Sequence, residues 1–87
     1  MARYRLSLTE SAAKELNRLP ASAVVRITGR IEKLADVPRP SGCKKLKGGV
    51  NEWRIRIGDY RVIYTIEDKT KTVDVTRIAH CKEVYKP

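Results

Sequence analysis

The sequence is short of acid. Its 87 residues carry 10 Asp and Glu against 19 Lys and Arg, a formal net charge of +9 with a sequence pI of about 9.9. Such an excess speaks of partners rather than of fold, and it points to nucleic acid, an acidic protein or an anionic surface. No apolar run approaches the roughly 18 residues of a membrane span. No signal-peptide pattern precedes Arg3 and Arg5, so a soluble, cytoplasmic protein without membrane attachment is expected. Cysteine is scarce: Cys43 and Cys81 lie far apart, with no Cys or His partner at metal-ligand spacing. The pair His80-Cys81 is not a zinc motif. Without a secretion signal, two free thiols are expected rather than a disulfide. Repeats, linkers and low-complexity segments are lacking, and the length suits one domain spanning residues 1–87.

What the chain does have is a strongly patterned middle, Trp53-Arg54-Ile55-Arg56-Ile57-Gly58-Asp59-Tyr60-Arg61-Val62-Ile63-Tyr64. It reads as two strands joined by Gly58-Asp59, with glycine supplying the positive φ of a type II′ hairpin turn. That turn sets Ile57 opposite Tyr60, Arg56 opposite Arg61, Ile55 opposite Val62, Arg54 opposite Ile63 and Trp53 opposite Tyr64. Alternation then puts Trp53, Ile55, Ile57, Tyr60, Val62, Tyr64 and Ile66 on a core face, and Arg54, Arg56 and Arg61 with Ile63 on the other. Opposed like charges about 5 Å apart are destabilising. In water the cost is only about 1 kcal/mol, and a bound polyanion would reverse it. Arginine rather than lysine suits phosphate, because a planar fork donates in pairs. A solvated polar face, softened by Glu52 or Asp74, is the alternative.

Around this hairpin the order is β-α-α-β-β-β-β. Residues 3–8 alternate as a first strand, and Thr9 caps a helix carrying Ala12, Leu16 and Leu19. Pro20 stops it, and Ser22 is placed to cap a second helix with Val24, Ile27, Ile31 and Leu34. Arg26, Arg30 and Lys33 fall on its outer, solvated face. Pro38 and Pro40 open a loop into a short basic strand, Cys43-Lys44-Lys45-Leu46-Lys47, before Gly48-Gly49. The last strand is Thr72–Ile78, followed by a short polar tail. The expected architecture is α+β: two N-terminal helices packed on one face of a mostly antiparallel sheet, with the arginine face open.

His80, the sole histidine, is expected just past the last strand, where the tail can bend over the sheet beside Tyr85. For an RNA ligand, a histidine can carry protons near neutral pH, arginines can stabilise phosphate charge, and a tyrosine can stack on a base or donate a proton. A structural or solvated histidine and a packing tyrosine are the plainer alternatives.

Three segments carry a family resemblance: Lys45-Leu-Lys-Gly48, the Trp53–Tyr64 hairpin, and Arg77-Ile-Ala-His-Cys-Lys-Glu-Val-Tyr85. Together with Leu-Thr-Glu-Ser-Ala-Ala-Lys-Glu-Leu near the start, they resemble RelE toxins of the RelE/ParE superfamily over nearly the whole chain. The resemblance implies a microbial-ribonuclease-like fold and a toxin of a bacterial toxin–antitoxin pair. It implies cleavage of mRNA in the ribosomal A site with no metal or cofactor. It also implies neutralisation by a small RelB-like antitoxin, with operator DNA reached only through the antitoxin complex. The implied partners are therefore that antitoxin, the 70S ribosome and mRNA. The implied catalytic residues are Arg54, Arg56, Arg61, His80 and Tyr85, with Lys45, Lys47, Arg77 and Lys82 contacting RNA. The chain departs from the pattern in having Arg54 and Arg56 where lysines are usual, and Cys81 where an arginine is common. Arginine does not give up its proton, so His80 or Tyr85 would carry more of the proton work. ParE relatives, which share the fold but poison DNA gyrase by binding, supply the alternative function.

Overall fold

The computed structural model describes residues 3–49 and 51–80. The elements follow the expected order: β1 (Arg5–Leu8), α1 (Glu10–Asn17), α2 (Ala21–Lys33), β2 (Lys44–Lys45), β3 (Glu52–Ile57), β4 (Tyr60–Glu67) and β5 (Thr72–His80). Thr9 caps α1 as its sequence position suggests, its hydroxyl accepting from the Ala12 amide at 3.1 Å. The second helix begins earlier than Ser22 would allow. Pro20 is its N-cap, and the Pro20 carbonyl receives the amides of Ala23 and Val24. Proline's fixed φ is compatible with the extended conformation of this cap position (φ −57°, ψ 149°), and the helix starts without a side-chain cap.

The five strands form one mixed sheet in the order β1-β5-β4-β3-β2, antiparallel throughout except for the parallel β1–β5 pair. The β3–β4 register is the one that the Gly58-Asp59 turn dictates, from Ile57↔Tyr60 to Trp53↔Tyr64. Gly58 has φ 59°, where a side chain would be strained. Ala12 from α1 and Ala23, Ile27 and Ile31 from α2 pack onto Ile55, Ile57, Val62, Tyr64, Ile66, Val73, Val75 and Ile78. Both helices therefore lie on one side of the sheet. Tyr64 is fully buried there, and its hydroxyl donates to the Pro38 carbonyl at 2.8 Å, holding the loop that leads to β2. Burial pushes its phenol pKa upward, with Cys43 a lesser cause.

One irregularity decides which face later residues occupy. Between β4 and β5 the register slips: Ile63 opposes Arg77, but Tyr64 opposes Val75. Thr76 is the extra residue, a β-bulge. Before it Val73 and Val75 face the helices, and after it Ile78 and His80 do.

Candidate functional site

The face away from the helices is built in rows, because directly paired residues project to the same side. Nearest the hairpin turn, the row reads Arg56, Arg61, Ala79. The next reads Lys44, Arg54, Ile63, Arg77 across four strands. The third reads Glu52, Thr65, Asp74, Ser7, and the fourth Glu67, Thr72, Arg5. Charge is thus segregated along the strands. Among the described residues the first two rows hold five cations and no carboxylate, and the third holds two carboxylates and no cation.

Depth differs within the cationic rows. Arg56 is exposed, and its Nε donates to the Gly58 carbonyl at 2.9 Å. Arg54 is half-buried. Arg61 is only 4% exposed, so the trio is not uniformly open as the sequence suggested. Alternation tells which face a residue takes, not how deep it sits. Arg77 lies at the α1 side of its row, with Nε 3.8 Å from Glu15 Oε2.

Two expected members of the site lie elsewhere. His80 is the last residue of β5 rather than part of the tail. It pairs with Tyr60 on the helix side of the sheet, its ring edge-on to the tyrosine at 5.5 Å. There it lines a small cavity of about 160 Å³ with Glu15, Arg18, Leu19 and Ile78. The bulge at Thr76 is the reason: it inverts the alternation of β5. Lys45 opposes Trp53 and so shares the core face, its Nζ 6.0 Å from the indole ring. Its neighbour Lys44, opposite Arg54, is the lysine on the arginine face. Lys47 is exposed beyond β2. Lys82 and Tyr85 lie outside the described residues, as does Cys81.

Sequence reasoning passed over two further features. Glu15, one position before Leu16 of the α1 stripe, reaches across to β5, where its Oε1 accepts the Ile78 amide at 3.0 Å. This satisfies an edge group of β5 beyond the end of β1. At the other end of the sheet, Asp68 accepts from Tyr4 at 2.7 Å and from both Arg39 terminal nitrogens at 3.3 and 3.0 Å. Arg39 also stands 5.0 Å from the Trp53 ring. Hydrogen bonds from Arg39 and then Tyr4 hold the Asp68 carboxyl below the usual range, and the same contact with Asp68 raises the Tyr4 phenol. A groove of about 360 Å³ opens beside α2, lined by Arg30, Lys33, Leu34, Asp36, Val37, Pro40, Ser41 and Ile55. No helix among the described residues is long and apolar enough to cross a membrane.

A family model described as the ParE toxin of type II toxin–antitoxin systems matches residues 6–85. The chain belongs to this RelE/ParE family of toxins. Within the family its likeness is to RelE proteins. It is 33% identical to the toxin RelE of Mycobacterium tuberculosis, over 95% of this chain and 87% of that one. Its fold matches a RelBE toxin–antitoxin complex from the same organism with a TM-score of 0.80 at 26% identity, covering 90% of this chain and 98% of that chain. The archaeal RelE–RelB complex from Pyrococcus horikoshii gives a TM-score of 0.80 at 29% identity, covering 90% and 94%. The protein is therefore a toxin of the type II toxin–antitoxin class with the RelE fold.

Proposed function

We propose that this toxin is an endoribonuclease that cuts mRNA on the ribosome and stops translation. The observation that carries this reading is the pair of rows on the open face that, among the described residues, hold cations and no carboxylate: Lys44, Arg54, Arg56, Arg61 and Arg77. When a 2′-hydroxyl attacks the adjacent phosphate, charge builds on the non-bridging oxygens. Guanidinium groups fixed on a sheet stabilise it without reorganising. Arg54 and Arg56 flank the attacked phosphate, and Arg61 supports it from the centre of the sheet. Protons are a separate matter. The arginines do not release them, and His80 faces the other side of the sheet. We assign proton transfer to Tyr85, with no metal required. Because the site is chiefly electrostatic, positioning of the substrate by the ribosome supplies much of the rate.

Primer extension on programmed ribosomes tests this. The wild type is expected to produce cut mRNA. Arg56→Ala, an exposed change that leaves the melting temperature intact, is expected to slow cutting by about 10²–10³-fold. Intact mRNA with folded wild type would end the proposal. A second reading follows from the description of the family model as ParE: inhibition of DNA gyrase without chemistry. Pulse labelling after induction separates the two, since the proposed activity stops protein synthesis before DNA synthesis.

The solved relatives named above are complexes with RelB antitoxins. We infer that this chain has a RelB-like antitoxin whose acidic, amphipathic segment docks in the groove beside α2. Apolar side chains would enter between Leu34, Val37, Pro40 and Ile55, and its carboxylates would meet Arg30 and Lys33.

A further inference from the structure

We propose that a single-stranded nucleic-acid backbone crosses this sheet at right angles to the strands, along the row Lys44–Arg54–Ile63–Arg77, and that Lys44 grips a phosphate at one end of that track. The proposal rests on the RNA reading above and goes beyond it, to the path of the substrate and a residue that holds it.

The argument is one of spacing. Successive rows on one face are two residues apart, about 6.7 Å along a strand. A phosphate backbone laid parallel to the strands would leave the cations within one such step. It would then meet Glu52 on β3 or Asp74 on β5. Laid across the strands it stays among cations over three interstrand spacings, about 14 Å. Asp74 is fixed in that third row by the Ser7 hydroxyl, which donates to it at 2.9 Å. The carboxylates thus form a fence along one side of the track. The hairpin turn bounds the other side.

Lys44 is at the β2 end of the row, exposed and paired with Arg54. At the β5 end, Arg77 is half-exposed and leans toward Glu15. Between the two ends, half-buried Ile63 offers an apolar surface to a ribose. Lys45, the next residue along, points to the Trp53 side and lies off the track.

Adjacent lysines on opposite faces allow a controlled test. Binding of a short, uncleavable 2′-O-methyl oligouridylate is measured by fluorescence anisotropy over a range of salt. Each phosphate contact to a single strand contributes about 0.7 to the slope of log affinity against log salt. Lys44→Ala is expected to flatten the slope by about 0.7, whereas Lys45→Ala leaves it unchanged. Asp74→Asn, which keeps its bond to Ser7, is expected to tighten binding a few-fold at low salt. Equal slopes for the two alanine variants would mean a diffuse basic field and overturn the track, as would absence of binding by the wild type at low salt. Ribosomal cleavage by the same proteins separates the two failures. Cutting by the wild type with an unaltered Lys44→Ala slope sinks the track alone, and no cutting sinks the RNA reading.

Discussion

The contact between Glu15 and the end of β5 makes a quantitative test of how the cationic face is held. Beyond Leu8 the first strand turns into α1, so the amide of Ile78 on the exposed edge has no strand partner there and is bound instead by Glu15 Oε1 at 3.0 Å. Ile78 itself is 2% exposed. Glu15→Ala removes the acceptor and leaves a part-buried amide unsatisfied, which costs about 1–3 kcal/mol. The ion pair with Arg77 adds little: at 3.8 Å, with side chains 50% and 29% exposed, it is worth well under about 1 kcal/mol. Alanine regains a few tenths through its helix propensity. The net expectation is a loss of about 2 kcal/mol, or roughly 10 °C in melting temperature for a domain of this size. Glu15→Gln keeps a carbonyl oxygen at the same place and is expected to lose less than half as much. Hydrogen exchange localises the effect, with the Ile78 amide losing protection in the alanine variant and keeping most of it in the glutamine variant. Melting of Glu15→Ala within about 0.5 kcal/mol of the wild type, with Ile78 still protected, would refute the reasoning.

Two other predictions concern the remaining faces. Val37, 53% exposed on the rim of the groove, contributes little to folding, so Val37→Asp is expected to leave stability within about 0.5 kcal/mol. The same change is expected to weaken antitoxin binding at least tenfold by calorimetry, and an unchanged affinity would remove the antitoxin segment from this groove. The depressed Asp68 carboxyl gives a sign for acid stability. Its folded pKa lies below its unfolded value, so its contribution is present above about pH 4 and is lost as pH falls through the folded value. The melting gap between wild type and Asp68→Asn should therefore narrow from pH 7 to pH 3, and a constant gap would show that Asp68 contributes no such linkage.

The hairpin was legible in the sequence because two signals agreed there, a turn demanding positive φ and an unbroken period-two pattern on both sides. Those signals fixed the register of β3 and β4 to the residue. Three things were not legible from the same signals. A two-residue strand has no periodicity of its own, so only its pairing with β3 assigns Lys44 rather than Lys45 to the arginine face. Alternation carries no information on depth, so burial of Arg61 was missed. The bulge, by contrast, had left a trace. Val73 and Val75 are two apart, but the next apolar residue of that face, Ile78, is three further on, with charged Arg77 standing where strict alternation would put a core side chain. A change of parity within one strand is what an inserted residue produces.

That single inserted residue, Thr76, distributes the chemistry of the molecule. In an unbulged β5, His80 would have shared a face with Arg54, Arg56 and Arg61, giving a site with both charge stabilisation and a proton carrier. With the bulge, His80 goes to Tyr60 and the α1 cavity, and the two rows nearest the hairpin turn carry arginine and lysine as their charged groups among the described residues. In the proposed reaction those rows would act on phosphate through charge and paired donors. They gain less from general acid–base catalysis than a histidine site would. In the proposed reaction, beyond the proton transfer assigned to Tyr85, rate comes from how well the phosphate is placed over the guanidinium groups. That is the kind of catalysis a ribosome-bound, externally aligned substrate can supply and a freely diffusing RNA cannot.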